Sequence, residues 1–349
     1  MRRIALSTLL LISAVAPAQI VPGKPIVQTP APPLVGTPAP AVVAPAAPPA
    51  PVVAGAAVPV LGDHSYIVGD GVAPMLGDGG RAPFESDHAF PNFIGPISSP
   101  VLSKDPRSLT EARALFIQNW LPKDHALGGG EFQAYGMQAR VALTDRLTFI
   151  ADKDGIVHLK TGSGPAQTGL LDVAAGLKYT ILRDVENQRL GAVGFMYEMP
   201  SGEANVYQNH GAGVWTVFGV YGQEFGCWHV LFNESFQFGQ NARDNVSFFF
   251  TQLHVDRQLF GWLYPVAEVN WFQYVSSGNR GIPAAVGEGG SLINLGTSGM
   301  SGKSLCTGAL GLKARINRHL DAGAVWETPL SSRKDLIGHR VVAELIFRY

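Results

Sequence analysis

The sequence predicts an all-β chain: an antiparallel up-and-down transmembrane β-barrel of about 12 strands, preceded by a disordered Pro/Ala-rich segment. Three observations lead there. Charged residues make up only 15% of the chain and hydrophobic residues 46%, whereas a soluble domain carries about 25% charge. Beyond the N-terminal leader, glycines and polar residues interrupt every apolar run before it reaches helical membrane-span length. From Leu109 onward, segments of roughly 10 to 14 residues alternate in polarity between turn signals, the pattern of barrel strands.

The N-terminus opens Met1-Arg2-Arg3, continues with the apolar run Ile4 to Val15 and closes with Ala16-Pro17-Ala18. A positive start, a short apolar run and a small-x-small site read as a secretory signal peptide over 1–18. Residues 19–62 are dominated by Pro, Ala and Val, as in Ala47-Pro48-Pro49. Such a stretch cannot build a core and tends to extended polyproline geometry. It reads as a linker, either without a specific partner or in contact with the cell wall. Residues 63–108 are rich in Gly, Pro and Asp without either period, and read as an irregular plug or a periplasmic lead-in to a barrel at 109–349.

Charge is balanced at 26 Lys+Arg against 27 Asp+Glu and forms no blocks, which excludes a nucleic-acid surface. Cys227 and Cys306 either pair or are two small buried residues; a stapled scaffold would carry more cysteines.

Twelve strand segments follow, at about 110–121, 130–143, 146–154, 168–182, 189–200, 211–224, 227–240, 246–257, 262–276, 303–316, 319–329 and 339–349. An even count returns the C-terminus to the side of the N-terminus, as bacterial barrels require. The connections agree. Thr144-Asp145, Arg183 to Gln188, Gly226, Gln258 to Gly261 and Asn317-Arg318 are short and read as periplasmic turns. Gly155 to Gln167, Ser201 to His210, Ser276 to Gly302 and Ser331 to Gly338 are longer and read as outward loops.

Successive strand side chains point to opposite faces. In the fourth segment Leu171, Val173, Ala175, Leu177, Tyr179 and Ile181 share one face, and Asp172, Gly176, Lys178 and Thr180 the other. In the last, Val341, Ala343, Leu345, Phe347 and Tyr349 oppose Arg340, Glu344 and Arg348. In the seventh, Glu234 falls on the apolar face, where a carboxylate is costly near the bilayer midplane; a bulge or a nearby interface would relieve it. Collecting the polar faces gives candidate lumen-lining residues Glu111, Arg113, Arg140, Asp172, Lys178, Glu198, His229, His254, Asp256, Glu268, Lys313, Arg315, Glu327, Glu344 and Arg348. Both signs occur in similar number, which fits two interiors: a salt-bridged filling or a polar channel.

Aromatics gather near strand ends, at Trp120, Phe132, Tyr135, Tyr221, Phe225, Trp262, Tyr264, Trp271, Tyr274, Trp326 and Tyr349, as interfacial girdles would place them. The chain closes Ile346-Phe347-Arg348-Tyr349. A terminal strand ending on an aromatic resembles the signal that outer-membrane barrels present to their insertion machinery.

The turn Leu143-Thr144-Asp145-Arg146-Leu147, the strand end Glu198-Met199-Pro200-Ser201-Gly202 and the closing Phe-Arg-Tyr resemble the outer-membrane barrels of the meta-pathway phenol-degradation transporter family. The segment Asp105 to Arg113 resembles the start of planctomycete-type envelope barrels that follow Pro/Ala-rich leaders. The resemblance covers about 110–349. It implies a bacterial outer-membrane location and transport, and names no catalytic residue.

Enzyme motifs fail on spacing. Gly302-Lys303-Ser304 would end a phosphate-binding loop only with a glycine at 297, where Thr297 stands. No His-Glu-x-x-His and no zinc-spaced Cys pair occurs, so no metal or cofactor is expected. A membrane-embedded lipid hydrolase would draw its base from His210, His229 or His254 but lacks a Gly-x-Ser-x-Gly elbow. The chain therefore reads as a channel or transporter for small, hydrophobic or aromatic solutes, its partners being outer-membrane lipid, the insertion machinery and the solute. A structural or adhesive anchor with a filled barrel is the alternative, and the hydrolase a distant one. A soluble β-sandwich or filled barrel also produces alternating strands.

Overall fold

The computed structural model describes residues 81, 82 and 84–349. The leader at 1–18, the Pro/Ala-rich stretch at 19–62 and the first part of 63–108 lie outside the described residues. Its strands are β1 (Glu111–Leu121), β2 (Gly130–Ala142), β3 (Leu147–Lys153), β4 (Ile156–Thr161), β5 (Gln167–Leu170), β6 (Val173–Asp184), β7 (Arg189–Met199), β8 (Val214–Phe225), β9 (Trp228–Gly239), β10 (Phe248–Arg257), β11 (Leu263–Tyr274), β12 (Ser304–Asn317), β13 (Leu320–Pro329) and β14 (His339–Arg348). All pairings are antiparallel, and β1 pairs with both β2 and β14, so the sheet closes on itself. β3 and β4 pair with successive parts of β2. β6 and β5 in turn take up β3 and β4. Each of these two pairs is one interrupted stave, and the closed barrel has 12 staves.

The interruption corrects two readings. The stretch Gly155 to Gln167, expected as an outward loop, contains β4. At the break Gly155 has φ +118° and sits so close to the Tyr135 carbonyl that a Cβ would collide with it. Leu171, expected on the lipid face, is 4% exposed. The chain leaves the ladder between β5 and β6, and period-2 alternation lapses there.

Connections divide by end. β2–β3, β6–β7, β8–β9, β10–β11 and β12–β13 are joined by tight turns, and the other end carries the long loops. The two ends of the barrel chain meet on the short-turn side, where the Tyr349 N–H donates to the Thr110 carbonyl at 2.9 Å.

Polarity is inverted relative to a water-soluble protein. Along β11, Tyr264, Val266, Glu268, Asn270 and Phe272 are buried while Ala267, Val269 and Trp271 are exposed. Exposed apolar side chains such as Phe195, Val217, Phe232, Leu253, Leu310 and Trp326 cover the outside, and buried charges fill the inside. Water would not retain such a surface on a monomer; lipid would. Exposed Trp262 and Trp271 bracket this band. Nine residues separate them, about 30 Å along a strand, or about 23 Å along the membrane normal at a tilt of about 40°, close to the apolar belt of a bacterial barrel. Phe132, Tyr264 and Tyr274, expected in the girdles, instead point inward and are at most 1% exposed. Proximity to a strand end does not decide which face a residue takes.

Glu234 does face outward, and no bulge relieves it. It sits in regular register opposite Gly219 and Thr251 and accepts a 2.6 Å hydrogen bond from the Thr251 hydroxyl. Cys227 and Cys306 are both free and half-buried. Cys227 lies in the β8–β9 turn, whereas Cys306 lies on β12 opposite Trp271.

Candidate functional site

The interior of the barrel is occupied by the chain itself. Residues 81, 82 and 84–92 lie at the short-turn rim, where Arg81 pairs with Asp145 at 2.8 Å, Asp87 with Arg183 at 2.8 Å, and the Asn92 amide donates to Glu224 at 3.3 Å. Residues 93–103 then enter the lumen, turn, and return through 104–108 to the start of β1. This stretch forms no strand; its prolines at 91, 96, 100 and 106 withhold N–H donors. Its polar backbone must therefore find partners on the wall.

It finds them in charged side chains. Arg315 donates to the carbonyls of Pro91 and Phe93, Lys313 to Gly95, Arg113 to Pro96 and Lys178 to Asp105 and Arg107. From β11 and β9, Glu268 accepts the N–H groups of Ile97 at 2.8 Å and Ser98 at 2.7 Å, and Asn233 accepts that of Lys104 at 2.8 Å. Gln138 and Gln252 donate to the carbonyls of Pro100 and Ser98. Lys104 itself meets Asp152 at 2.6 Å, and Asp105 is clasped by Arg107.

All fifteen candidate residues from the sequence are buried or half-buried, and most fall into three groups. Glu111 bridges Arg140 and Arg348, and Arg348 continues to Asp321 and Arg315. Glu344 joins Arg113 to Lys313. His229, Asp256, His254 and Glu268 form a chain along the wall of β9, β10 and β11: His229 Nδ1 is 2.6 Å from Asp256, Asp256 is 3.0 Å from His254 Nε2, and His254 Nδ1 is 2.7 Å from Glu268. The other candidates lie outside these groups. Glu327 pairs with Arg340, Glu198 with Lys153, and Asp172 accepts the N–H groups of Gly202 and Asn209.

Sequence alternation missed Asp152 and Lys153. A bulge between Ala151 and Lys153 turns these consecutive residues both inward, which strict period-2 alternation forbids. Arg340 was visible on the polar face of the last strand, but its partnership with Glu327 was not. Lys104, Asp105 and Arg107 lie in irregular chain, where no period marks a direction.

The long-loop end is closed by a second insertion. Residues 286–297 of the β11–β12 connection fold into the mouth, burying Val286, Leu292, Ile293 and Leu295. Glu288 organises them, accepting the N–H groups of Leu295 at 2.6 Å and Thr297 at 2.9 Å. Burial pushes its carboxyl up to about 7. Burial also raises the carboxyl of Asp335, which takes a 2.6 Å hydrogen bond from Tyr274 and pairs with Arg333 at 2.5 Å. Val101 and Leu292, one from each insertion, line a common void of about 20 Å³. A second void, between Gly95 and Arg348, holds about 10 Å³. Such spaces admit about one water each. A larger cavity of about 360 Å³ opens at the outer mouth, among His125, Ala126, Ala284, Arg333 and Lys334.

His229 and His254 turn their ring nitrogens to carboxylate oxygens and not to a serine hydroxyl. Among the described residues, no three His, Cys, Asp or Glu side chains converge as a metal requires.

Neither a known protein family nor a curated protein matches the chain by sequence. Among solved structures, an outer-membrane channel from Pseudomonas putida F1 superposes with a TM-score of 0.52 at 11% identity, over 74% of this chain and 100% of that one. The NanC porin is a weaker likeness, with a TM-score of 0.42 at 5% identity over 69% and 99% of the two chains. So is the translocator domain of the autotransporter NalP from Neisseria meningitidis, at 0.40 and 9% over 69% and 88%. At 11% identity the first of these shows the architecture alone: the chain has the closed antiparallel barrel fold of outer-membrane channels.

Proposed function

We propose that the chain is a bacterial outer-membrane channel for small solutes, held here in a closed form with residues 84–108 as its plug. The observation that carries this reading is how the segment is held. Wall side chains grip its backbone through hydrogen bonds, and none of its residues belongs to the β-ladder. Withdrawing it leaves every strand pairing in place, and water can take over each wall donor and acceptor. The segment's Phe90, Phe93, Ile94, Ile97, Val101 and Leu102 also join the buried apolar clusters, and withdrawal gives up that burial.

The solute class rests on the resemblance to phenol-degradation transporters and on the outer cavity, whose volume suits a small molecule. Its apolar lining of Pro122, Ala126, Ala284 and Ala285 faces polar and charged side chains, among them Asp124, His125, Arg333 and Lys334, which suits a small molecule with an apolar and a polar part. The exported leader, lipid around the apolar belt, insertion through the Phe347 and Tyr349 strand, and contact of the 19–62 stretch with the cell wall complete the reading.

The voids of one water each favour the second reading, a filled anchor. Planar-bilayer recording separates the two. The full chain is expected to be almost silent, and a variant lacking residues 81–108 to carry steady current. A truncated barrel that inserts, retains heat-modifiable gel mobility and stays silent would establish the anchor instead.

A further inference from the structure

We propose that the void between Gly95 and Arg348 binds one halide ion, chloride under ordinary conditions, which joins the inserted segment to the barrel wall. Three ion-pair clusters meet at this void, and each has one more cation than carboxylates. In the first, Lys104, Arg140, Arg348 and Arg315 share Asp152, Glu111 and Asp321. In the second, Arg113 and Lys313 share Glu344. In the third, Arg107 takes Asp105, and Lys178 is left with the carbonyls of Asp105 and Arg107. Glu268, the acid of β11 that faces the same turn of the chain, is taken up by Ile97, Ser98 and His254. Six of these eight cations are at most 5% exposed. A buried surplus of one sign is costly, and guanidiniums cannot relieve it by shedding a proton. A counter-ion relieves it.

The lining supplies donors for it. Asp105, Glu111, Arg113, Arg140, Lys313 and Arg348 border the void, so all three clusters reach it. Arg140 Nη2 and Arg113 Nε, on side chains more than nine-tenths buried, have no hydrogen-bond partner. Lys313 Nζ carries three hydrogens and meets two acceptors, the Gly95 carbonyl and Glu344. The two carboxylates on the lining are turned to other cations: both oxygens of Glu111 face Arg140 and Arg348, and both of Asp105 face Arg107. At about 10 Å³ the space takes one sphere of about the size of a water, so a monatomic anion fits and a carboxylate or phosphate does not. Gly95, Pro96, Ser103 and Asp105 come from the inserted segment and the rest of the lining from the wall. A halide held here therefore bridges the two. The site needs residues 93–108 in the lumen but not that they can leave it, so it stands or falls apart from the channel reading.

The test is diffraction at the bromine absorption edge from crystals of the full chain grown in bromide. One anomalous peak is expected in the void, in contact with Arg140 Nη2 and Arg113 Nε. No peak there, with residues 93–108 ordered in the lumen, overturns the site: it then holds a water only, and the lysines have shed the surplus charge. Binding in solution is read from amide hydrogen exchange of the full chain in detergent, with gluconate replacing chloride at constant ionic strength. For a Kd of about 10 mM, raising chloride from roughly 1 to 100 mM is expected to slow exchange at Ser103 and Lys104 about tenfold. Exchange that ignores chloride, even with the bromide peak present, means binding at crystal concentration only and overturns the proposal. Ile346→Phe fills the void from the wall and leaves every charge in place; it is expected to remove both the peak and the chloride dependence. A chloride effect that persists in this variant, in a barrel that keeps its heat-modifiable gel mobility, is a general salt effect and also overturns the site. Should the variant fail to fold, the two measurements on the unaltered chain decide.

Discussion

Ser98 and Asn270 meet in the middle of the lumen, the Asn270 side-chain amide donating to the Ser98 hydroxyl at 2.9 Å. Asn270 also reaches Glu327 at 3.2 Å, and Glu327 is paired with Arg340 at 2.9 Å. The plug is thus tied through one amide to an ion pair whose side chains are both fully buried.

That pair is expected to behave asymmetrically. Arg340→Ala leaves a buried carboxylate without its partner and should cost about 3–5 kcal/mol. Replacing both, as Arg340→Met with Glu327→Leu, should cost much less. Urea unfolding of the barrel in lipid vesicles measures both; equal losses would mean that the pair is hydrated and weak.

Glu234→Leu is expected to stabilise the barrel by up to about 1 kcal/mol, because an outward carboxylate on the rung of Trp271, near the edge of the apolar band, is penalised less than one at the midplane. Thr251→Val removes the hydroxyl that shields it and should destabilise. Unfolding in vesicles of different hydrocarbon thickness checks the direction; a loss for Glu234→Leu would place that face away from lipid.

Glu288 sets a pH dependence at the long-loop end of the barrel. Its carboxyl is raised in the folded loop to about 7 from an ordinary value of 4.5, so the folded loop favours the protonated form. Loop stability is therefore full below about pH 4.5 and falls as pH rises through about 7. Limited proteolysis of 286–297 should accelerate between pH 5 and 8, and Glu288→Gln should remove that dependence. A wild-type rate that stays flat across the range would show Glu288 to be ionised throughout.

Cys227 and Cys306 are separated by most of the barrel height and cannot bridge. Denatured, unreduced protein should take up two equivalents of maleimide, and a single equivalent or none would contradict the fold.

Much of this was legible in the chain because lipid imposes a simple rule. One face of every strand must be apolar, so Val341, Ala343 and Phe347 announce outside and Arg340 and Glu344 inside. The rule fails where the ladder does: at Leu171 between β5 and β6, and at Asp152-Lys153 in a bulge. It is silent at Lys104 and Arg107, whose direction depends on wall partners distant in sequence. Glu234 obeys the period and breaks the chemistry, a conflict the sequence displayed and only the register with Thr251 resolved. The pairing of charges inside follows from which staves face one another, and no single segment contains that information.

The central claim is that residues 93–108 lie inside the barrel with their amides satisfied by its wall. Hydrogen exchange at the backbone amides of Ile97, Ser98 and Lys104, in detergent or lipid at neutral pH, tests it most directly. The expected result is protection comparable to that of amides in β9 and β11, since Glu268 and Asn233 hold them away from water. Exchange within seconds, at the rate of a solvated loop, would contradict it.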